Sequence, residues 1–401
     1  MSWRCYLGDT VTGLVAQPVD IPNFSWTVTV SDSSLSTVRD KGTGEMDATG
    51  ITVPWGAVPA DDPAERASML SSYRRCLTMF WHDGQDLLDG SLGTPILWGA
   101  VGVRTDTRAD TSFDLVSPMG LLGGRYAVAE GAYGTGSGGT SPGSVRYDGY
   151  SYRGIASEVG RLCTGYKPGG ELPIDWTYLG EKGTRAREYK AFDVQNLSCA
   201  DILEKLSNVI GGPDIQFRPY MADAQHVRLR FLAGSDADVY LGQDVVHTLT
   251  SFPGGGTIHN LNVDHASAVH RVYASGAGTD AAQLTALAED LSLVSMRDPY
   301  PLVETAYSDS DTDNLGVLRG HAQSQLQGNA LPVMQVSGEV DFDDPGVPAP
   351  GSIWPGEMVD LAVEGFPTLP DGVYRMRLMQ MSGDQSSVAE LKFDVEFDPI
   401  Y

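Results

Sequence analysis

Asp309, Asp311 and Asp313 alternate like the opening of a calcium loop, where carboxylates at every second position converge on one hard cation. The sixth position of such a loop needs glycine for its sharp turn and here holds Asn314. The twelfth needs a bidentate glutamate and here holds Gly320. Acids just before the apolar pattern Leu315, Leu318, Ala322, Leu326 are better explained by the helix dipole, which favours negative charge at an N-terminus. His259, His265 and His270 lie close together in the chain, but at spacings that match no common zinc pattern. Gly134, Gly136 and Gly139 spell G-x-G-x-x-G. A dinucleotide site needs a helix straight after that run, and Ser141-Pro142-Gly143 follows instead. An α/β-hydrolase nucleophile elbow is not supported. A glycosidase carboxylate pair need not be close in sequence, and 52 acidic residues offer no way to choose two. Trp176 to Tyr178 and Tyr147 to Tyr152 could offer aromatic faces to sugars, although aromatics at this density are more often core. No catalytic, cofactor-binding or metal-ligating residue is assigned, and no cofactor is expected.

The elements around these residues carry more information. With 401 residues, 47 glycines and only 20% charged residues, the chain reads as two to four β-rich, turn-rich domains. A net charge of −25 repels phosphate and argues against a nucleic-acid binder. The acid is concentrated at the end: residues 333–401 hold 13 Asp or Glu against Arg375, Arg377 and Lys392. Thr184 to Lys190 is locally basic. Cys5, Cys76, Cys163 and Cys199 are far apart and lack a C-x-x-C, so four reduced, mostly buried thiols are expected rather than a disulfide or metal framework. No apolar leader follows Met1 and no run reaches membrane-spanning length.

The strongest local signals lie in Phe192 to Pro219. Ser198 is placed to cap a helix, with Asp201 completing the capping-box pattern. Ile202, Leu203, Leu206, Val209 and Ile210 fall on one face of that helix. Gly211 can stop it, Pro213 prevents it from resuming, and Ile215 and Phe217 begin a strand. Val227, Leu229 and Phe231 make a second strand after a turn at Met221 to Gln225. Tyr152 to Cys163 is another helix, in which Gly154 and Gly160 either weaken the fold or allow close packing.

The spacing divides the chain into residues 1–126 (a β-barrel or sandwich), 127–146 (a Gly/Ser-rich loop), 147–235 (a small α+β unit), 236–275 (β), 276–332 (helical) and 333–401 (β again). In the first unit Trp26 to Val30, Leu77 to Trp81, Ile96 to Val103 and Phe113 to Val116 read as strands. Asp62 to Ser72 reads as a short helix, and turns are expected at Asp40-Lys41-Gly42 and His82-Asp83-Gly84. In 276–332, Asp280 to Asp290 reads as a helix on the spacing of Leu284, Leu287 and Leu291. Asp311 to Gln327 reads as a longer one, stopped by Gly328. Val359 to Val363, Tyr374 to Leu378 and Leu391 to Phe397 alternate as strands.

The order of these features resembles a known family. Pro95 to Tyr126 (PILWGAVGVRTDTRADTSFDLVSPMGLLGGRY), the helix with GGPDIQFRP, RVYASGAG at Arg271 to Gly278, YPLVE at Tyr300 to Glu304, Ile353 to Val359 and Gly372 to Tyr374 are together similar to minor tail proteins, the tail-tip or baseplate hubs, of long non-contractile-tailed phages of actinobacteria. The resemblance implies an α+β, β-rich fold with two tail-tube-like β-barrels, residues 1–126 and 236–275 with 333–401, a helix-containing domain between them and 276–332 as a helical excursion from the second. It implies a structural, non-enzymatic virion protein of the tail tip: a homotrimer whose six barrels imitate the sixfold tail tube and form or gate the DNA exit channel. Expected partners are the distal tail protein ring, the tape measure protein and other minor tail proteins such as fibre or spike. Genome DNA would pass without specific binding, and the host envelope would be met indirectly. Part of the acidic excess is expected to face the channel. A receptor- or carbohydrate-binding tip protein is the alternative, ahead of a tail-associated cell-wall hydrolase.

Overall fold

The computed structural model describes residues 2–30, 44–83, 90–209, 211–310 and 312–397. The expected turn at Asp40 to Gly42, and Gly84, Ile210 and Asp311 of the motifs above, lie outside the described residues.

The chain is β-rich, with two barrel-like sets of strands. In the first, Arg75–His82 pairs with Thr94–Val101, and the end of that strand pairs with Leu115–Val116. One residue earlier the chain switches sheets: Asp110–Phe113 pairs with Met46–Pro54, which pairs with Asn23–Thr29. Numbered by sequence, these five strands lie side by side in the order 3-4-5-2-1, every neighbour antiparallel. In the second set Met358–Val363 pairs with Gly372–Asp384, then Val388–Phe397, Val333–Asp341 and Ile258–Ala266. The order is again 3-4-5-2-1 and again antiparallel throughout. The sequence carries no visible repeat, yet the pairing repeats. Each barrel adds strands of its own: Ser2–Asp9 beside Arg75–His82, and His247–Phe252 parallel to Met358–Val363.

The two sets are joined through the backbone. Asn23–Thr29 pairs on its second side with the latter half of Gly372–Asp384, Thr29 opposite Gln380 and Ser25 opposite Asp384. Trp26 Nε1 donates to the Asp384 carbonyl at 2.9 Å across this seam. Trp3 stands edge-on to Phe24 and Trp81 and so bridges Ser2–Asp9 to Asn23–Thr29, which no ladder joins among the described residues.

Between the barrels, Ile174–Trp176, Val227–Ala233 and Ile215–Met221 form a three-stranded sheet. Trp176, Phe217 and Phe231 meet edge-on or tilted at its centre, so Trp176 is core rather than part of a sugar platform. Two helices cover it. Ser151 caps Tyr152–Thr164 by accepting from the Gly154 amide at 3.0 Å. Ser198 caps Cys199–Ser207 by accepting from the Asp201 amide, as expected, and Gly211 follows with φ +73°. Gly160 serves close packing: a Cβ there would sit 2.1 Å from the Trp176 ring. The helix read at Asp62 to Ser72 is Pro63–Met69, with Asp62 as its cap.

The excursion corrects the sequence reading. Asp280 to Asp290 is not a helix. After a short turn at Asp280–Ala282, Thr285–Glu289 is a strand antiparallel to Arg271–Ser275, which also pairs in parallel with Glu304–Ser308. Ala286 and Ala288 point to the core while Thr285, Leu287 and Glu289 are exposed. This period-two pattern was hidden by the leucine spacing, and pairing with a sequence-distant strand overrides helix propensity. The long helix is Leu315–Asn329, capped by Asn314, so Gly328 lies inside it rather than stopping it. Leu318, Ala322 and Leu326 pack with Val272, Ala274 and Ala288 in a small core of their own.

Candidate functional site

The residues weighed for chemistry do not converge. His270 is buried and its Nδ1 accepts from the Val303 amide at 3.0 Å, while His259 and His265 are exposed on a strand. Among the described residues no group of three His, Cys, Asp or Glu is arranged to hold a metal. The Gly134 loop is a series of exposed turns in which Ser141 Oγ accepts from the Gly134 amide at 2.8 Å. It holds one G-x-S-x-G run, Gly139 to Gly143. That run lies between a single 3-10 turn and the strand Ser144–Tyr150, where an elbow needs strand then helix. The four cysteines are free and buried.

The feature built with most care is a buried polar clamp where the middle sheet meets both barrels. It draws its residues from the segment GGPDIQFRP and from Trp354-Pro355-Gly356-Glu357, two motifs distant in sequence, with Arg377 added from Gly372–Asp384. Asp214, Gln216 and Arg218 come from the first. Arg218 Nη1 donates to Glu357 Oε1 at 2.8 Å and its Nε to Gln216 Oε1 at 2.6 Å. Gln216 Nε2 in turn donates to the carbonyls of Thr29, at 3.3 Å, and Pro355, at 3.2 Å, and so touches both barrels. Arg377, 3% exposed, pairs with the fully buried Asp214 and donates to the Gly356 carbonyl at 3.2 Å. The Trp354 amide donates to Glu357 Oε2 at 3.2 Å.

Sequence position explains how these atoms reach one another. Asp214 and Gln216 leave the helix end through Pro213, which fixes the chain direction into the strand. Gly356 adopts φ +98°, and a Cβ there would stand about 3 Å from Leu241 and Val30. Only glycine lets the loop lie that close to the first barrel. Arg218 lies over the Trp354 ring, and Arg377 over Tyr240. Burial lowers the Arg218 pKa, although Glu357 opposes that shift. Two carboxylates and two guanidiniums thus share a largely buried junction with their charges paired. Such pairs contribute little net stability compared with apolar packing, but they punish misalignment, because an unpaired buried charge is costly. The arrangement has no open face for a substrate. Chemically it is a register lock between three bodies of one chain.

Sequence reading singled out both motifs but gave no sign that they meet. The one available signal was the pair of charged residues, Arg218 and Glu357, set within otherwise apolar or turn-forming runs.

No protein-family model matches the chain, and no curated protein does. Among solved structures it is similar to the 43 kDa tail protein of prophage MuSo2 from Shewanella oneidensis, at 8% identity and TM-score 0.49 over 98% of each chain. It is also similar to the tail protein from Neisseria meningitidis MC58, at 11% identity and TM-score 0.45 over 98% of this chain and 96% of that one. A third is a prophage tail protein from Listeria monocytogenes, at 11% identity and TM-score 0.40 over 99% and 96%. Likenesses of this size assign no activity or partner to this chain.

Proposed function

We propose that this protein is a structural component of a phage tail tip, a trimeric hub that joins the tail tube and distal tail protein to the host-contacting tip. The observation that carries this reading is the repeated strand order. Two sets of five strands with the same 3-4-5-2-1 pairing occur in one chain, and Asn23–Thr29, Met46–Pro54 and Asp110–Phe113 of the first continue the sheet of the second. Three such chains offer six similar units, which is what a threefold assembly needs to match a sixfold tube. The ordered sequence motifs supply the rest of the reading. Residues 1–126 and 236–275 with 333–401 act as the ring-forming units, and 147–235 holds them in register through the clamp. The net charge of −25 suits a channel through which DNA passes without adhering, with part of the acid facing inward.

Virions labelled with antibody against this chain and imaged in negative stain test the reading. Label on the tail axis beside the tube supports a hub. Label confined to peripheral fibres would transfer the protein to the receptor-binding class.

A further inference from the structure

The locally basic run Thr184 to Lys190 folds as Arg185–Lys190, one half of a two-stranded ribbon with Ser144–Tyr150. Among the described residues no third strand joins this ribbon. The Ala191 amide donates to the Gly143 carbonyl at 2.8 Å. In the alternating antiparallel pattern, Tyr189 and Arg187 therefore also turn their backbone groups toward Ser144–Tyr150. The amides of Glu188 and Lys190 point the other way, from an open edge.

A groove of about 350 Å³ lies along that edge, and no residue of Ser144–Tyr150 lines it. Arg187 to Lys190 form one wall, which at about 3.3 Å per residue runs for about 13 Å. Leu197, Ile202, Leu206 and Val209 give it an apolar floor on and around the helix Cys199–Ser207. Phe192, 67% exposed, stands at its rim. Both acids of the groove are answered locally. Glu188 lies opposite Arg146 across the ribbon, and Asp193 accepts from Asn196 at 2.8 Å. Lys190 and Lys205 also line the groove; they are exposed and have no ion pair among the described residues. Residues 147–235 hold 11 basic and 11 acidic side chains, so the whole net charge of −25 lies elsewhere in the chain. An acidic partner is repelled by the rest of the protein and accepted here.

We infer that this groove takes an extended acidic segment of a different protein, added as a third strand beside Arg185–Lys190. Strand addition draws affinity from main-chain hydrogen bonds and selects through alternate side chains. Inward side chains of the segment meet Leu197, Ile202 and Leu206, which calls for apolar residues. Outward ones stand beside Lys190, with Lys205 across the groove, which calls for carboxylates. A phosphate polymer supplies the charge but neither the peptide donors and acceptors nor the apolar alternation. The inference goes beyond the hub reading and can fail without it.

The test titrates the full chain with a labelled, end-capped octapeptide of alternating valine and glutamate. The expected result is saturable binding that slows amide exchange at Glu188 and Lys190. Lys190→Glu/Lys205→Glu changes two exposed positions and should weaken binding about tenfold or more with the melting temperature unchanged. Glu188→Pro removes one carboxylate and one outward amide. Charge attraction alone would gain from that change, whereas strand addition should lose about tenfold. Four results would overturn the inference: no saturable binding, equal binding of a valine–lysine octapeptide, equal binding of an eight-residue oligothymidylate, or a folded Lys190→Glu/Lys205→Glu variant that binds like the wild type. Self-association of the chain abolished by that double variant would also overturn it, by giving the groove to a second copy. Each of these leaves the hub reading standing, and label absent from the tail axis would separately overturn that reading.

Discussion

Arg218, on an edge strand of the three-stranded sheet between the barrels, donates to Glu357, in a loop of the second barrel 139 residues away, at 2.8 Å in a largely buried junction. Through Gln216, the same arginine is connected to the Thr29 carbonyl of the first barrel. One side-chain chain therefore reads the relative position of three parts of the fold.

Removing one partner should be far worse than removing both. Arg218→Met leaves the Glu357 carboxylate without its cation, an expected loss of about 3–5 kcal/mol in urea unfolding. Arg218→Met/Glu357→Met should regain most of that loss. Additive effects of the two single changes would show that the pair is not coupled.

Gly160→Ala should be destabilising although alanine is the better helix former. The added methyl would stand 2.1 Å from the Trp176 ring, and relieving that overlap costs about 1–3 kcal/mol. Gly320→Ala, on an exposed turn of Leu315–Asn329 with nothing within 4 Å of the new Cβ, should instead stabilise by about 0.5–1 kcal/mol. Melting curves that move in the same direction for both would contradict this packing.

Burial pushes the Glu45 carboxyl up to about 6, against the opposing hydrogen bond from the Ser117 hydroxyl. The native state thus holds this proton more tightly than the unfolded chain does. The group's contribution is fully present below the ordinary glutamate pKa and is lost as the pH rises through about 6. Glu45→Gln, which keeps an oxygen for Ser117, should gain stability over the wild type at pH 7.5 and lose that advantage below pH 4.5 or so. Denaturation at the two pH values decides it.

The thiols should be silent in the native protein. Burial pushes Cys5 and Cys76 up to about 12, so neither supplies thiolate at neutral pH. Cys163 and Cys199 are buried against each other between two packed helices. Thiol reagents at pH 8 should label all four only after unfolding; rapid labelling of the folded chain would place at least one at the surface.

Local order was legible wherever a short-range force settles it. Ser198 caps because the first amides of a helix lack partners, and Ile215 and Phe217 alternate with Gln216 and Arg218 because successive side chains of a strand point to opposite faces. Asp280 to Asp290 was misread because its leucines satisfy a helical spacing while its backbone finds partners in Arg271–Ser275. Composition and charge restricted the kind of protein, and the order of weak motifs suggested its family. Tertiary structure alone decided that the strand order repeats, that Asn23–Thr29 joins one barrel to the other, and that Arg218 reaches Glu357. Strand pairing and buried ion pairs join residues far apart in sequence, and which groups meet depends on the backbone path between them. No periodicity within a short window records that path.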